Sequence, residues 1–351
     1  MLGMDRRAAR YAWTAAAVLL LLVLVYRIRS TLFIFVLSLL FAYLLAPLVN
    51  LLDRWLPASR TRTPALGLAY LIFIGMIVAA GAMIIPTIVD QATALKQKFP
   101  EMVASWERPA PSEPGAVTSL KVQILEKIRT EVAQRSNDLI GALPAMGLKF
   151  LAVASDLVYV VIIPILAFFF LKDSVKIRDH ILDMVDAGPQ RALLDDVMAD
   201  VNVLLVHYMR ALVLLSLATF TAYNIFFAII GVPFGILLAA LACLLEFIPM
   251  IGPLAASVAI LLVGGLSGAP ILTILIFLAA YRVFQDYVLS PHLMGQGVEL
   301  HPLLILFGVF AGAEVAGIAG TFLSVPTLAL VRILYLRIRR SRLREGVPVV
   351  Q

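Results

Sequence analysis

Charge is what this chain has least of. Aspartate, glutamate, lysine and arginine together make up 14% of its 351 residues, against about a quarter in a soluble globular domain. With 62% hydrophobic residues and a mean hydropathy of +0.99, the composition excludes a soluble fold and reads as an all-α, polytopic membrane protein. Cysteine occurs once, as Cys243, so no intrachain disulfide can form, and inside an apolar run it reads as a small packing residue. Neither H-E-x-x-H nor G-x-x-x-x-G-K-[ST] occurs, which removes the machinery of a zinc protease and of an ATP-driven pump. No enzyme activity, metal or cofactor is expected. The net charge of +6 does not argue for nucleic acid, because the arginines cluster beside apolar segments, as cytoplasmic membrane loops do.

Long apolar runs are plentiful. A membrane-spanning helix needs about 20 mostly apolar residues, and that ruler gives eight candidates, at 12–28, 31–52, 64–87, 148–171, 203–230, 233–264, 270–289 and 302–335. Arg6, Arg7 and Arg10 ahead of the first run resemble a signal peptide's basic start. No small-residue cleavage site follows, so the run is read as a membrane helix. Arg54, Arg60 and Arg62, and then Arg332 to Arg344, place the second loop and the C-terminus on the N-terminal, cytoplasmic side. Arg27 and Arg29 run against this, in a turn short enough to snorkel.

The expected organisation is N-terminal membrane helices at 1–87, an extracytoplasmic amphipathic region at 88–148 and a membrane helix at 149–172. Cytoplasmic amphipathic helices follow at 173–202, then a membrane core at 203–335 and a basic tail at 336–351. In the first polar region Leu120, Ile124, Ile128 and Val132 recur every four residues, a helix pattern. In the second, Pro189 suits a helix's first turn, while Asp195, Asp196 and Asp200 read as a solvated face.

The stretch from Gly231 to Pro253 is almost wholly apolar, yet holds Glu246 followed by Pro249, Gly252 and Pro253, which break or unwind a helix. Freed backbone groups in hydrocarbon must find partners in the protein or a wet cavity, so the break suggests a site. Glu314 has similar surroundings, with Gly312 before it, Gly317 and Gly320 after, then Pro326. Two interrupted apolar segments are the sequence mark of a transporter's midplane site; close helix packing through small residues is the competing account. The segments 233–264 and 302–325 could each be a re-entrant hairpin, which makes eight an upper count of crossings. Arg282 and Asp286, four apart with Gln285 beside them, can pair on one helix face. Glu246 and Glu314 lack a local partner, and Arg282 could serve either across helices. Intramembrane ionisable residues are costly and usually have a task.

Several of these segments resemble the autoinducer-2 exporter (AI-2E) family. Phe168-Phe169-Phe170-Leu171-Lys172-Asp173 is similar to its FF-L-x-D helix ending. Residues 291–326, PHLMGQGVELHPLLILFGVFAGAEVAGIAGTFLSVP, are similar to its P-x-x-M-G, L-H-P-L, G-x-x-G and V-P run. Ala42 to Pro47, and Pro86 with Gln91, are shorter matches. The resemblance implies a secondary transporter of the bacterial inner membrane that exports a small organic molecule, with a proton or sodium ion as coupling partner, assembled as a homo-oligomer, a pentamer. Glu246 is then the leading proton carrier, with Arg282, Gln285, Asp286 and Glu314 along the path, and Pro249, Gly252, Pro253, Gly312, Gly317 and Gly320 as helix breaks. Sodium or lithium/proton exchange, a passive pore and a membrane scaffold are the alternatives. Gly265-Leu266-Ser267-Gly268 also matches the G-x-S-G of rhomboid-type proteases, but a serine nucleophile needs a base within hydrogen-bond reach, and His292 and His301 lie beyond a full membrane helix.

Overall fold

The computed structural model describes residues 6–55, 63–107, 161–294 and 300–344, and the regular elements among them are all helical. Helix α1 (Arg6–Arg27) is followed after one residue by α2 (Arg29–Trp55). α1 is apolar but unburied, with Trp13 76% and Leu20 71% exposed, so its surroundings must be lipid or another protein surface. Helix α3 (Thr63–Glu107) has 45 residues, about 67 Å at 1.5 Å per residue, more than twice a hydrocarbon core of about 30 Å. The expected end near residue 87 is therefore corrected: the helix passes through both Pro86 and Pro100. Proline removes one backbone bond and kinks a helix, and here the far end is held by packing, with Leu95 and Phe99 buried in the main core. The Leu120 to Val132 pattern lies outside the described residues.

Helix α4 (Ile163–Lys172) is the described end of the span expected at 148–171. It packs on α2 and α3 through Ala42, Leu45, Val49, Leu66, Ala69, Ala167 and Leu171, and the Tyr70 hydroxyl donates to the Pro164 carbonyl at 2.9 Å. Helix α5 (Ser174–Asp183) then leads to α6 (Pro189–Ile230), whose 42 residues reach about 63 Å. The first turns of α6 do not carry a merely solvated acidic face. Arg178 of α5 pairs with Asp195, and Arg337 donates to Asp196 at 2.8 Å and to both oxygens of Asp200 at 2.7 and 2.8 Å. Arg178 comes from the preceding helix and Arg337 from the far end of the chain, both beyond helical spacing, which is why a local reading leaves the aspartates unpaired.

Gly231, at φ 70°, ends α6 in the left-handed conformation that glycine adopts without strain. The segment 233–264, expected as either a full span or a re-entrant hairpin, is two short helices, α7 (Gly235–Leu245) and α8 (Ile251–Leu266). Their 11 and 16 residues reach about 16 and 24 Å, each short of a bilayer crossing of about 30 Å. They share the main core with α3, α6 and α9 (Ile271–Phe284). The chain continues from α9 through a π-turn, Gln285–Leu289, into α10 (Ser290–Met294).

Helix α11 (Pro302–Arg344) is folded back on itself, because Ala316 (φ −143°, ψ 20°) and Gly317 (φ 61°, ψ −140°) leave the helical conformation. Its arms, 302–315 and 318–344, touch backbone to backbone: a Cβ on Gly312 would lie 2.3 Å from the Gly320 carbonyl oxygen. A Cβ on Gly308 would meet the Leu328 side chain at 2.5 Å. The pairing of 308 with 328 and 312 with 320 makes the arms antiparallel. Among the described residues six helices, α1, α2, α3, α6, α9 with its extension, and α11 counted through its bend, are long and apolar enough to cross a membrane, and α4, α7 and α8 are shorter apolar helices. The fold is the all-α polytopic class with broken segments, and two of those segments form helical hairpins.

Candidate functional site

The break between α7 and α8 is a tight turn held by its own backbone bonds. Glu246 N–H still bonds the Ala242 carbonyl at 3.0 Å, Ile248 N–H bonds Leu245 at 2.9 Å, and Gly252 N–H bonds Ile248 at 3.0 Å. Between them Ile251 N–H reaches the Pro249 carbonyl at 2.7 Å, with Met250 at φ 63°, ψ −52°. That is the rare, strained γ-turn with positive φ at its centre. Gly252 is required by space, since a Cβ there would stand 1.7 Å from the Leu245 carbonyl oxygen. Pro253 lies in the first turn of α8, where a missing N–H costs nothing. Gly252 and Pro253 thus each have a geometric task in this break.

The turn delivers Glu246 into the core, where it is 9% exposed. One carboxylate oxygen, Oε1, accepts from the Gln285 side-chain amide, and the other, Oε2, accepts from the Thr219 hydroxyl at 3.3 Å. The Thr219 oxygen is also 3.0 Å from the Tyr281 hydroxyl. A threonine donating to Glu246 has its lone pairs free, so Tyr281 donates to Thr219 and the chain runs Tyr281 to Thr219 to Glu246. Thr219, Tyr281 and Gln285 are all buried. Gln285 and Tyr281 are four apart on α9 and its π-turn, so both face the same neighbour; single π-turns inside helices recur at functional sites. Behind Tyr281 stands an aromatic wall: the Tyr223 ring meets it edge to face at 5.1 Å, and Phe226 and Phe277 stack at 3.8 Å. Gln91 of α3 accepts from the Leu237 N–H at 2.9 Å, supplying a partner to the start of α7.

The remaining sequence candidates lie elsewhere. Arg282 and Asp286 do pair, Nε to Oδ2 at 2.9 Å, but on the outer side of α9 with side chains 41% and 44% exposed. Arg282 is therefore matched on its own helix, and Glu246 takes neutral partners instead. Glu314 is exposed on the first arm of α11, beside Val315 and Ile318, and does not join the Glu246 cluster. Gly317 makes the α11 turn, while Gly312 and Gly320 hold its arms together, so packing and breaking are both present. Ser267 donates its hydroxyl to the Val263 carbonyl of its own helix at 2.6 Å, as an ordinary helix-end serine does. Sequence reasoning missed Thr219 and Tyr281, since hydroxyls on apolar helices are unremarkable alone; the spacing of Tyr281 four residues before Gln285 was the available signal.

Comparison with known proteins supplies context for this geometry. The family described as AI-2E family transporter matches residues 15–340. YueF of Bacillus subtilis, provisionally named a transport protein, is 25% identical over 319 residues, covering 87% of this chain and 85% of its own. PerM of Escherichia coli K12, provisionally named a permease, is 24% identical over 286 residues, 78% of each chain. A Mycobacterium tuberculosis protein, MT0215, also provisionally named for transport, is 34% identical over 129 residues, 36% of this chain and 35% of its own.

Proposed function

Because this protein belongs to the AI-2E transporter family, we propose that it exports a small organic molecule of the autoinducer-2 kind across the bacterial inner membrane, by alternating access coupled to proton entry. A role in membrane transport follows from the family itself. The coupling and the direction are our reading, and one observation carries them: Glu246 is buried at the tip of a broken helical hairpin, held by an amide and a hydroxyl.

Neutral partners suit a group that changes protonation. Gln285 donates to Oε1 whether Oε2 carries a proton or not. Thr219 donates to the bare carboxylate and, with its hydroxyl turned, accepts from the acid. An arginine partner would hold the carboxylate charged throughout the cycle. Each proton moved down the membrane potential supplies about 2.3 kcal/mol per 100 mV. A helical hairpin whose two arms are each too short to cross, as α7 and α8 are, is a natural moving part, as broken helices are in other transporters. The arginines flanking the first and last helices support cytoplasmic termini, and the unburied α1 supports a homo-oligomer, a pentamer by the family resemblance.

The test is a screen of labelled small organic molecules in proteoliposomes with and without an imposed pH gradient. Gradient-driven flux is expected in the native protein and is expected to vanish in Glu246→Gln while gradient-independent exchange persists. Unchanged driven flux in that variant would remove Glu246 from the mechanism. Sodium or lithium/proton exchange is the second reading, favoured by the oxygens that Glu246, Thr219 and Tyr281 bring together; hard cations take oxygen ligands. Proton movement driven by sodium alone, with no organic solute, would select it, and single-channel currents would select a passive pore.

A further inference from the structure

Among the described residues, one fully buried side-chain polar atom lacks a hydrogen-bond partner, the Tyr208 hydroxyl. Ser216 donates to the Leu212 carbonyl, Thr321 to Gly317 and Ser324 to Thr321, while Thr219 is held by Glu246 and Tyr281. Tyr208 is 5% exposed, and its hydroxyl has no hydrogen-bond partner among the described residues. A buried polar atom without a partner is rare and costly, and calls for an explanation.

Its position suggests one. Tyr208, Leu212, Leu215, Thr219 and Tyr223 are buried along a single face of α6, at helical spacing. Tyr208 lies 11 residues before Thr219 on that face, about 16 Å along the axis, toward the end of α6 that carries Asp196 and Asp200. The cluster around it is apolar, with Leu40 of α2, Leu204, Leu205, Met209 and Leu212 of α6, and Ala329 of α11. Phe247, next to Glu246, packs against this cluster and meets Phe322 of the second hairpin with ring centroids 6.1 Å apart. The turn of the first hairpin and the second arm of α11 therefore meet beside the Tyr208 cluster.

We propose that the Tyr208 hydroxyl is a ligand contact, the polar anchor of a second binding position for a small uncharged molecule bearing hydroxyl or carbonyl groups, set where the two hairpins meet α6. The phenol can donate to a carbonyl or exchange bonds with an alcohol. Its aliphatic surroundings penalise a charged ligand. The position rests on the transport reading only in that a passenger passes through the bundle, and it does not depend on proton coupling at Glu246.

Tyr208→Phe removes one oxygen and keeps the ring, and two uncharged probes, erythritol and hydroxyacetone, are compared with charged succinate. In detergent, either uncharged probe is expected to raise the Tm of the native protein, and succinate is not. Tyr208→Phe is expected to keep or raise the Tm without ligand and to bind the probe about threefold to tenfold more weakly, the loss of one hydrogen bond. Glu246→Gln is expected to retain the probe's effect, which separates this site from failure of the coupling mechanism. The proposal is overturned if neither uncharged probe stabilises the native protein. It is equally overturned if Tyr208→Phe binds the probe as tightly as the native chain, which would make the hydroxyl a group satisfied by water alone.

Discussion

A carboxylate surrounded by hydrocarbon has few ways to persist, and Glu246 uses neutral donors from two helices. Its position depends on Gly252, because the turn that aims it leaves no room for a side chain: a Cβ would stand 1.7 Å from the Leu245 carbonyl oxygen, which is backbone and cannot swing aside. Gly252→Ala is therefore expected to cost more than about 3 kcal/mol, seen as loss of monodisperse protein and a lower Tm, whereas the same change at Gly67, where nothing lies within 4 Å of the added carbon, is expected to be neutral. At this scale the sequence is legible where chemistry and context clash. Glu246 in an apolar run, chased by Pro249, Gly252 and Pro253, announces itself. Thr219 does not, because a serine or threonine on a membrane helix commonly bonds its own preceding turn, as Ser216 does, and Tyr208 does not, because a tyrosine on an apolar helix reads as ordinary aromatic packing. Only tertiary structure shows that Thr219 turns to Glu246 and that Tyr208 turns to nothing.

At the scale of elements, strain and breakage sit in the same few residues. Met250 occupies φ 63°, ψ −52° at the centre of the γ-turn, a conformation that a side chain makes unfavourable. Replacing it with glycine is expected to stabilise the protein by about 1 kcal/mol, read as a higher Tm; a lower Tm would show that Met250 packing outweighs the strain. Proline misleads in α3, where Pro86 looks like a stop, yet the helix continues to Glu107 because Leu95 and Phe99 are buried against α7 and α8. It informs correctly at Pro189, which opens α6. A proline ends a helix only where the turns beyond it have nothing to pack on. The aspartates of α6 escape a local reading for a related reason, since Arg337 is 137 residues from Asp200 and no short-range pattern joins them.

For the whole molecule, the count of crossings depends on whether α7 and α8 form one passage or a return. A hairpin puts the chain before α7 and the chain after α8 on one side of the membrane. Pro233 and Pro270 are both exposed, flanking that pair. With Cys243, the sole native thiol, changed to alanine, Pro233→Cys and Pro270→Cys are expected to react with a membrane-impermeant maleimide from the same side of sealed vesicles. Labelling from opposite sides would show that α7 and α8 together cross. The sequence leaves this open, because an apolar run of 32 residues at 233–264 satisfies the hydropathy of either path, and only the turn at Met250 decides the shape.

The π-turn at Gln285–Leu289 holds one residue more than an α-helical turn does. Were that surplus passed along to a neighbouring turn, the intervening residues would be re-indexed by about 100° each around the helix axis, with the backbone ladder largely kept. Gln285 is the first residue of the turn and carries the amide that steadies Glu246. The grip on the buried acid is thus mounted on a bearing, and letting go of it requires a twist of one helix rather than the dismantling of any.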